Sequence, residues 1–369
     1  TTALASGDGI LINDGGIMRM TNVDTVQTFM QTGISATLGG LTDVSMDITN
    51  FTDGLLIQPN SDGSAPTTGT LSSATGNTGI GKSTFAALTS GTYNTALGYN
   101  AMAADTTGAS NTALGANSLV ANTTGASNTA VGQGALVANT TAANNTAVGR
   151  NALSGNTTGA QNTAVGRNAL DANTTASNNT AVGYGALDAN TSGTDNVAVG
   201  ANAADANTTG SDNTAIGDNA LGANTTASRN TAVGAVSLLV NTTGASNTAV
   251  GALTLDANTT GADNTAVGKS SLGSNTTASN NTAVGSSALL VNSTGASNTA
   301  VGFSALTANT TANNNTAVGT NALLANTTGH SNVAMGKAAL DANTTGASNT
   351  AVGYNALTTN TTASNLVAI

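Results

Sequence analysis

Cysteine and tryptophan are absent from this chain of 369 residues, and histidine occurs once. Without cysteine there is no disulfide, no thiol nucleophile and no cysteine-ligated zinc. A catalytic triad containing histidine would need His330, which lies in the phrase TTGHSN, where neighbouring repeats have Ala or Ser. We therefore predict that the protein is not an enzyme and binds no metal and no cofactor.

Charged residues are also scarce, at 7% of the chain. Seven Lys and Arg side chains are too few for the basic surface that binds nucleic-acid phosphates, and the formal net charge is −10. No stretch approaches the run of about 18 apolar residues that a membrane span requires. The first residues, TTALASGDGILINDGG, lack the basic start and apolar run of an export signal. We expect neither nucleic-acid binding nor membrane insertion.

What the chain does contain is a 17-residue repeat. Counting the Asn of the phrase NTAVG as position 1, complete repeats start at Asn77 and follow without insertion to the one at Asn349, which makes 17 repeats. Position 5 is always Gly, position 4 is aliphatic or Met, and position 9 is nearly always Leu. Position 12 is Asn from Asn122 to Asn360, and positions 13 and 14 are Thr or Ser from Thr106 onward. Such regularity predicts a repeat architecture.

The period favours strands over helices. Seventeen residues are too few for a pair of helices, and frequent Gly with β-branched Thr and Val opposes helix. We predict one strand in NTAV, a second in ALxAN and a turn in TTGAS, which together form one coil of an all-β, elongated β-solenoid or β-roll. Positions 2 and 4 share one face of the first strand, and positions 9 and 11 share one face of the second. Val and Leu are therefore expected inside the coil, with the Ala of position 3 facing outward.

The shortage of large apolar side chains predicts self-association. Two such side chains per coil stabilise it by roughly 1.5–3 kcal/mol each, whereas ordering the backbone costs about 1–2 kcal/mol per residue. Packing the Ala face against other copies would supply part of the difference. We therefore expect a homo-oligomer with Ala147, Ala164 and Ala181 facing its axis.

Two kinds of repeated residue have structural explanations. Gly at position 5 is expected to have a positive φ or a close backbone neighbour, although recent duplication would also keep it unchanged. Asn at positions 1 and 12 would stack at roughly 4.8 Å and form two hydrogen-bonded ladders; the alternative is a tolerated turn residue. The many Asn-Thr-Thr triplets match the glycosylation acceptor pattern, but the repeat itself generates them.

Residues 1–76 do not follow the repeat. GILINDGGIMRMTN predicts a hairpin around Asp14-Gly15-Gly16, VDTVQTFMQTG predicts a short amphipathic helix from Val23, and DVSMDITNFTDGLLIQ predicts strands. The phrase PNSDGSAPTTGT holds both prolines and is the linker candidate. We assign residues 1–58 to an N-terminal attachment domain, 59–76 to a connector and 77–369 to the repeats with a final partial repeat.

Position 6 carries the residues best suited to contact a partner. It holds five of the seven cations together with three Tyr and one Phe, a mixture that cannot form a core. An exposed row of this kind suits a glycan or protein surface; the alternative is tolerance of variation at a solvent-facing corner. The candidate contact stripe consists of Tyr99, Arg150, Arg167, Tyr184, Lys269, Phe303, Lys337 and Tyr354, with Lys82 in the same row.

Position 10 is the row richest in carboxylates. It is Asp in Asp171, Asp188, Asp205, Asp256 and Asp341. Where the first three stack, a divalent cation could relieve their repulsion; the alternative, which we adopt, is a solvated acidic row.

The wording of the repeat resembles two groups of fibrous proteins. SNTAVG, as at 127–132 and 348–353, is similar to the Asn-Ser-Val-Ala-Ile-Gly phrase of trimeric autotransporter adhesin heads, which are trimeric β-rolls. NTAVGYNALTTNTTASN resembles repeats of bacteriophage tail-fibre and other virion fibre proteins, and segments of residues 1–76 are similar to marine and cyanobacterial phage structural proteins. The resemblance implies a homotrimer.

Together these features predict a structural fibre protein at the virion surface. Residues 1–58 would bind other virion proteins on tail or capsid, and the rigid shaft would project toward a host receptor or glycan. A bacterial cell-surface adhesin is the first alternative, although no signal peptide or C-terminal membrane barrel is seen in the sequence. An ice-binding solenoid is the second, favoured by rows of Thr but opposed by their adjacent places in a turn.

Overall fold

The computed structural model describes residues 9–14, 17–22, 44–48, 50–58 and 66–369, and these residues form strands and turns without a helix. The strands before the repeats are β1 (Gly9–Asp14), β2 (Ile17–Asn22), β3 (Val44–Ile48), β4 (Phe51–Ile57) and β5 (Ala74–Thr75). One strand per repeat follows: β6 (Thr78–Ile80), β7 (Thr95–Leu97), β8 (Thr112–Leu114), β9 (Thr129–Val131), β10 (Thr146–Val148), β11 (Thr163–Val165), β12 (Thr180–Val182), β13 (Val197–Val199), β14 (Thr214–Ile216), β15 (Thr231–Val233), β16 (Thr248–Val250), β17 (Thr265–Val267), β18 (Thr282–Val284), β19 (Thr299–Val301), β20 (Thr316–Val318), β21 (Val333–Met335) and β22 (Thr350–Val352), with β23 (Val367–Ala368) in the partial repeat.

The first four strands form two antiparallel pairs. In the pair β1–β2, Asp14 lies opposite Ile17, which confirms the two strands of the predicted hairpin. The pair β3–β4 confirms the strands predicted in DVSMDITNFTDGLLIQ. The amphipathic helix predicted from Val23 lies outside the described residues.

From β4 onward the strands form one parallel ladder. β4 pairs with β5 and β6, β6 pairs with β7, and each later strand pairs with that of the next repeat as far as β23. Partners are offset by one whole repeat, so that Thr146 lies opposite Thr163 and Val148 opposite Val165. The chain is therefore an all-β parallel β-solenoid with one coil per repeat, as the sequence predicts.

The interior of the coil is not the predicted one. In residues 145–161, Ala147 and Leu153 are buried, whereas Thr146 and Val148 are only half-buried. Because successive strand residues point to opposite sides, burial of the middle residue turns both of its neighbours outward. The expected interior of Val with Leu is therefore wrong, and Ala takes the place of Val.

The Ala-lined oligomer axis is wrong for the same reason. Ala147, Ala164 and Ala181 have no exposed surface in a single chain, so none of them can face another copy. They pack in the interior of their own coils.

The predicted second strand is also wrong, because positions 6–11 form consecutive turns. Asn151 and Leu153 have φ angles of 57° and 53°, and left-handed φ recurs at positions 7 and 9 of every repeat. Such a conformation costs a non-glycine residue roughly 1–2 kcal/mol. It curls the chain tightly and places Leu153 inside the coil, where Ala147 and Ala152 are the buried apolar neighbours of the strand and the turn.

Both predicted Asn ladders are confirmed, and their side chains are buried. The backbone N–H of Asn145 donates to Oδ1 of Asn128 at 3.0 Å, and Nδ2 of Asn156 donates to Oδ1 of Asn139 at 3.0 Å. Within one coil, Nδ2 of Asn145 and Nδ2 of Asn156 both donate to the carbonyl of Gly159, at 2.9 Å each. The two ladders therefore meet at one acceptor and satisfy backbone groups that the turn leaves unpaired.

The ladder of position 12 begins with an Asp. Asp105 is buried; its Oδ1 accepts a 2.7 Å hydrogen bond from Nδ2 of Asn122, and its Oδ2 has no hydrogen-bond partner. Burial raises the pKa of this carboxyl to about 7, against the opposing effect of hydrogen bonds from Asn122 and the Gly108 backbone. The group therefore titrates near neutral pH.

The conformational explanation of Gly at position 5 is confirmed. Gly166 has a φ of 137°, and a Cβ on it would lie 2.6 Å from the carbonyl carbon of Gly183 in the next coil. Position 5 therefore requires glycine both for its φ and for the close approach of adjacent coils.

Candidate contact surface

The row at position 6 lies at the corner where each strand ends. Gly at position 5 turns the chain, and the next residue is held by the stack: the N–H of Asn168 donates to the carbonyl of Arg150 at 3.1 Å, and the N–H of Asn202 donates to that of Tyr184 at 2.8 Å. Because every coil repeats this bond pattern, the residues of position 6 stack in one row along an edge of the solenoid. Their spacing is the strand spacing of roughly 4.8 Å.

All eight residues of the candidate contact stripe are exposed in the single chain. The aromatic residues are the most informative: Tyr184 retains 53% of its surface, Phe303 57% and Tyr354 71%. Arg150, Arg167, Lys269 and Lys337 are exposed beside them, as is Lys82. The residues of the stripe therefore lie exposed along one edge, in coils that are partly separated by coils with other residues at position 6.

Two cations of the contact stripe stand next to tyrosines of the stripe. The guanidinium carbon of Arg167 lies 5.8 Å from the ring centroid of Tyr184, and the Nζ of Lys337 lies 5.9 Å from that of Tyr354. Both distances are within the range of a cation–π contact, about 6 Å. Both contacts join adjacent coils, and in both the cation precedes the ring by one repeat.

The strand face forms a second exposed surface, which the sequence analysis missed. Thr at position 2 and Val at position 4 point outward from the parallel sheet, and Val165, Val199 and Ile216 retain 36–40% of their surface. Neither position carries a charged residue in any repeat. We call this surface the Thr/Val face. The sequence indicates this exposure by the different side-chain volumes at position 4, which include Leu97 and Met335. A tightly packed interior would not accept that variation.

The acidic row of position 10 is only partly solvated. The pKa of Asp188 is raised by burial and, to a smaller extent, by the charges of Asp171 and Asp205 in the adjacent coils. Burial also raises the pKa of Asp205 and Asp256. The Asp171 carboxylate accepts a hydrogen bond from the Ser154 hydroxyl. Across the part of the chain that the structure describes, no three His, Asp or Glu side chains form a group able to hold a metal ion.

The structure also shows the surroundings of His330 and of the Asn-Thr-Thr triplets. His330 is exposed and its ring contacts the hydroxyl of the adjacent Ser331. From Asn122 to Asn343, the Asn of the Asn-Thr-Thr triplets is the buried Asn of position 12, whose Nδ2 is engaged in the ladder, as in Asn156. That nitrogen is not accessible to a glycosylating enzyme in the folded coil.

Comparison of the chain with protein-family models, with curated proteins and with solved structures finds no match. Among the described residues, no helix has the length and hydropathy needed to cross a membrane.

Proposed function

We propose that this protein is the shaft of a virion fibre. One observation carries the proposal: the ladder from β4 to β23 continues through all 17 repeats without a break in register. Seventeen coils at roughly 4.8 Å give a length of about 80 Å. Backbone hydrogen bonds run along this whole length, which suits a rigid spacer.

The assignment to a virion is based on the amino-acid sequence of the repeat and on residues 1–58. The repeat phrase resembles those of phage fibre proteins, and the irregular N-terminal segment supplies a means of attachment at one end of the shaft. The same shaft would serve a bacterial adhesin, whose attachment would be to a cell.

Imaging of intact particles separates these two possibilities. We expect gold-labelled antibodies against residues 1–58 to mark the particle surface, and antibodies against residues 349–365 to mark points about 80 Å farther out. Unlabelled particles, or equal distances for the two antibodies, would contradict the virion shaft; label on bacterial cells would favour the adhesin.

Self-association through the Thr/Val face is the second part of the proposal. The face is uncharged and partly apolar, as interface cores are. A strip about 10 Å wide and 80 Å long has an area of about 800 Å² per chain, which is typical of a stable interface. Three copies around one axis is the number implied by the resemblance.

Lysine substitutions on the Thr/Val face, compared with lysine substitutions at equally exposed valines off the face, test whether this face forms the interface. We expect the parent to sediment as an oligomer and Val165→Lys/Val199→Lys to sediment as a monomer with an unchanged circular dichroism spectrum, because two lysines per chain would be buried without partners. The matched control is Val240→Lys/Val291→Lys, whose valines lie off the strand face and are 37% and 38% exposed. It should remain oligomeric.

A monomeric parent would contradict the interface and favour the ice-binding alternative. One observation supports that alternative: Thr and Val stand in rows on a parallel sheet instead of at a turn. Inhibition of ice growth by the monomeric parent, and its loss in Val165→Lys/Val199→Lys, would then identify the Thr/Val face as an ice-binding surface.

A further inference from the structure

The distribution of charge separates the position-6 edge from the rest of the molecule. The chain has a formal net charge of −10, yet position 6 carries five of its seven cations and a single carboxylate, Asp218. The contact stripe is therefore a line of positive charge on an acidic protein. An anion approaching this protein is attracted to that edge and repelled by the remaining surface.

Aromatic rings occur on the stripe in register with the cations. Every Tyr of position 6 follows a cation in the preceding coil: Lys82 before Tyr99, Arg167 before Tyr184, and Lys337 before Tyr354. The pairs are separated by five and ten coils, or about 24 and 48 Å at the strand spacing. Each pair has an exposed ring and an exposed cation in adjacent coils, and in Arg167–Tyr184 and Lys337–Tyr354 the two groups are in contact.

We infer that the stripe binds a carboxylated polysaccharide laid along the shaft. A sugar ring packs its C–H face on an exposed tyrosine, while the neighbouring guanidinium or ammonium binds the carboxylate of the same or the next sugar. Since the guanidinium of Arg167 is planar and offers paired donors, it is the strongest single anchor of the carboxylate. This inference rests on the proposed function only in that the shaft is the projecting part.

The geometry favours an extended polymer over a small ligand. Small molecules bind in concave sites that bury most of their surface, whereas position 6 is an exposed edge. Three widely spaced pairs each contribute little, and a long chain gains affinity by engaging several of them at once.

Duplex DNA fits this edge less well than an acidic polysaccharide. Five cations are spread between Lys82 and Lys337, fifteen coils or about 72 Å. DNA of that length carries one negative charge per roughly 1.7 Å, far more than the stripe can neutralise.

Direct binding to the isolated full chain tests the inference. With polygalacturonate as the probe, we expect the parent to bind and Arg167→Gln/Tyr184→Ala to bind about tenfold more weakly, from the loss of one exposed ion pair and one ring contact. The matched control is Arg229→Gln/Tyr93→Ala, which removes one exposed Arg and one exposed Tyr outside the stripe. It should bind like the parent.

Three outcomes would overturn the inference. These are no binding by the parent, equal weakening in the variant and its control, and equal binding of fully methyl-esterified polygalacturonate, which lacks the charge. Binding of a 20-base-pair DNA duplex with greater affinity would replace the polysaccharide with a nucleic acid. None of these results depends on virus particles, so failure here and failure of the particle imaging are distinguishable.

Discussion

Replacing Asp105 with Asn is expected to raise the free energy of unfolding of the first coils by about 4 kcal/mol at pH 8. This value is the free-energy cost of keeping the Asp105 carboxylate charged in the folded protein, where its pKa rises from 3.8 to about 7. Asn would remain the first member of the ladder of position 12, and its Nδ2 can donate where the Asp105 Oδ2 has no partner. Asn122 shows the same interaction, donating to the Gly125 carbonyl at 3.0 Å. Hydrogen exchange of residues 94–127 at several pH values measures the difference.

The stability difference between the parent and the Asp105→Asn variant is expected to depend on pH. Between pH 3.8 and about 7 the folded protein holds the Asp105 proton and the unfolded chain does not, so stability of the parent falls as pH rises through that window. Above pH 7 the loss is complete. The Asn variant lacks this component, so parent and variant should differ most above pH 7 and converge below pH 4.

An exposed carboxylate provides the control. Asp263→Asn removes one negative charge at the solvent-facing position 17 and should leave the stability of residues 94–127 unchanged. A gain from Asp105→Asn that is equal at pH 4 and pH 8 would show that the carboxyl is not protonated in the folded protein.

Replacing Gly166 with Ala is expected to destabilise the stack around its own coil by about 3 kcal/mol, since the φ of 137° disfavours any side chain and the added methyl would meet the Gly183 backbone. The coils of a solenoid depend mainly on their neighbours, so the effect should be local. Limited proteolysis should produce new cleavage within residues 162–195 while the distant coils stay protected.

A second glycine distinguishes steric conflict from a general effect of adding a methyl group. At Gly222 a Cβ would lie 3.4 Å from its nearest neighbours, an ordinary contact. Gly222→Ala should therefore change stability by less than about 1 kcal/mol. Identical proteolysis of parent and Gly166→Ala would contradict the requirement for glycine at position 5.

The period, the parallel ladder and the Asn ladders could be predicted because each follows from residues that recur in register. The interior could not be predicted from hydropathy, which ranks Val above Ala and so places Val inside. Side-chain volume determines which residue of the strand is buried. The tight turn brings a large residue such as Leu153 inward, and the opposite strand then has room only for Ala147. Left-handed φ at a leucine has no signal in a single sequence.

The exposure of position 6 was predictable for a different reason. This position in the repeat tolerates Lys, Tyr, Ala, Asp and Phe, and only a solvent-facing corner accepts such variety. The sequence analysis missed the contact of Arg167 with Tyr184, although the 17-residue offset that predicts the Asn ladders also places these two side chains in adjacent coils.

Strict registration of the strands also bears on how a shaft of this kind changes length during evolution. Removing or inserting a whole coil leaves every remaining coil with a neighbour of the same shape and the same bonds, so in-phase recombination between two coils of the gene yields a protein that still folds. An exchange displaced by one residue would instead turn Ala outward and force Thr and Val into a space too small for them. The length of the shaft therefore changes during evolution by whole coils, in steps of roughly 4.8 Å, which is the spacing between strands.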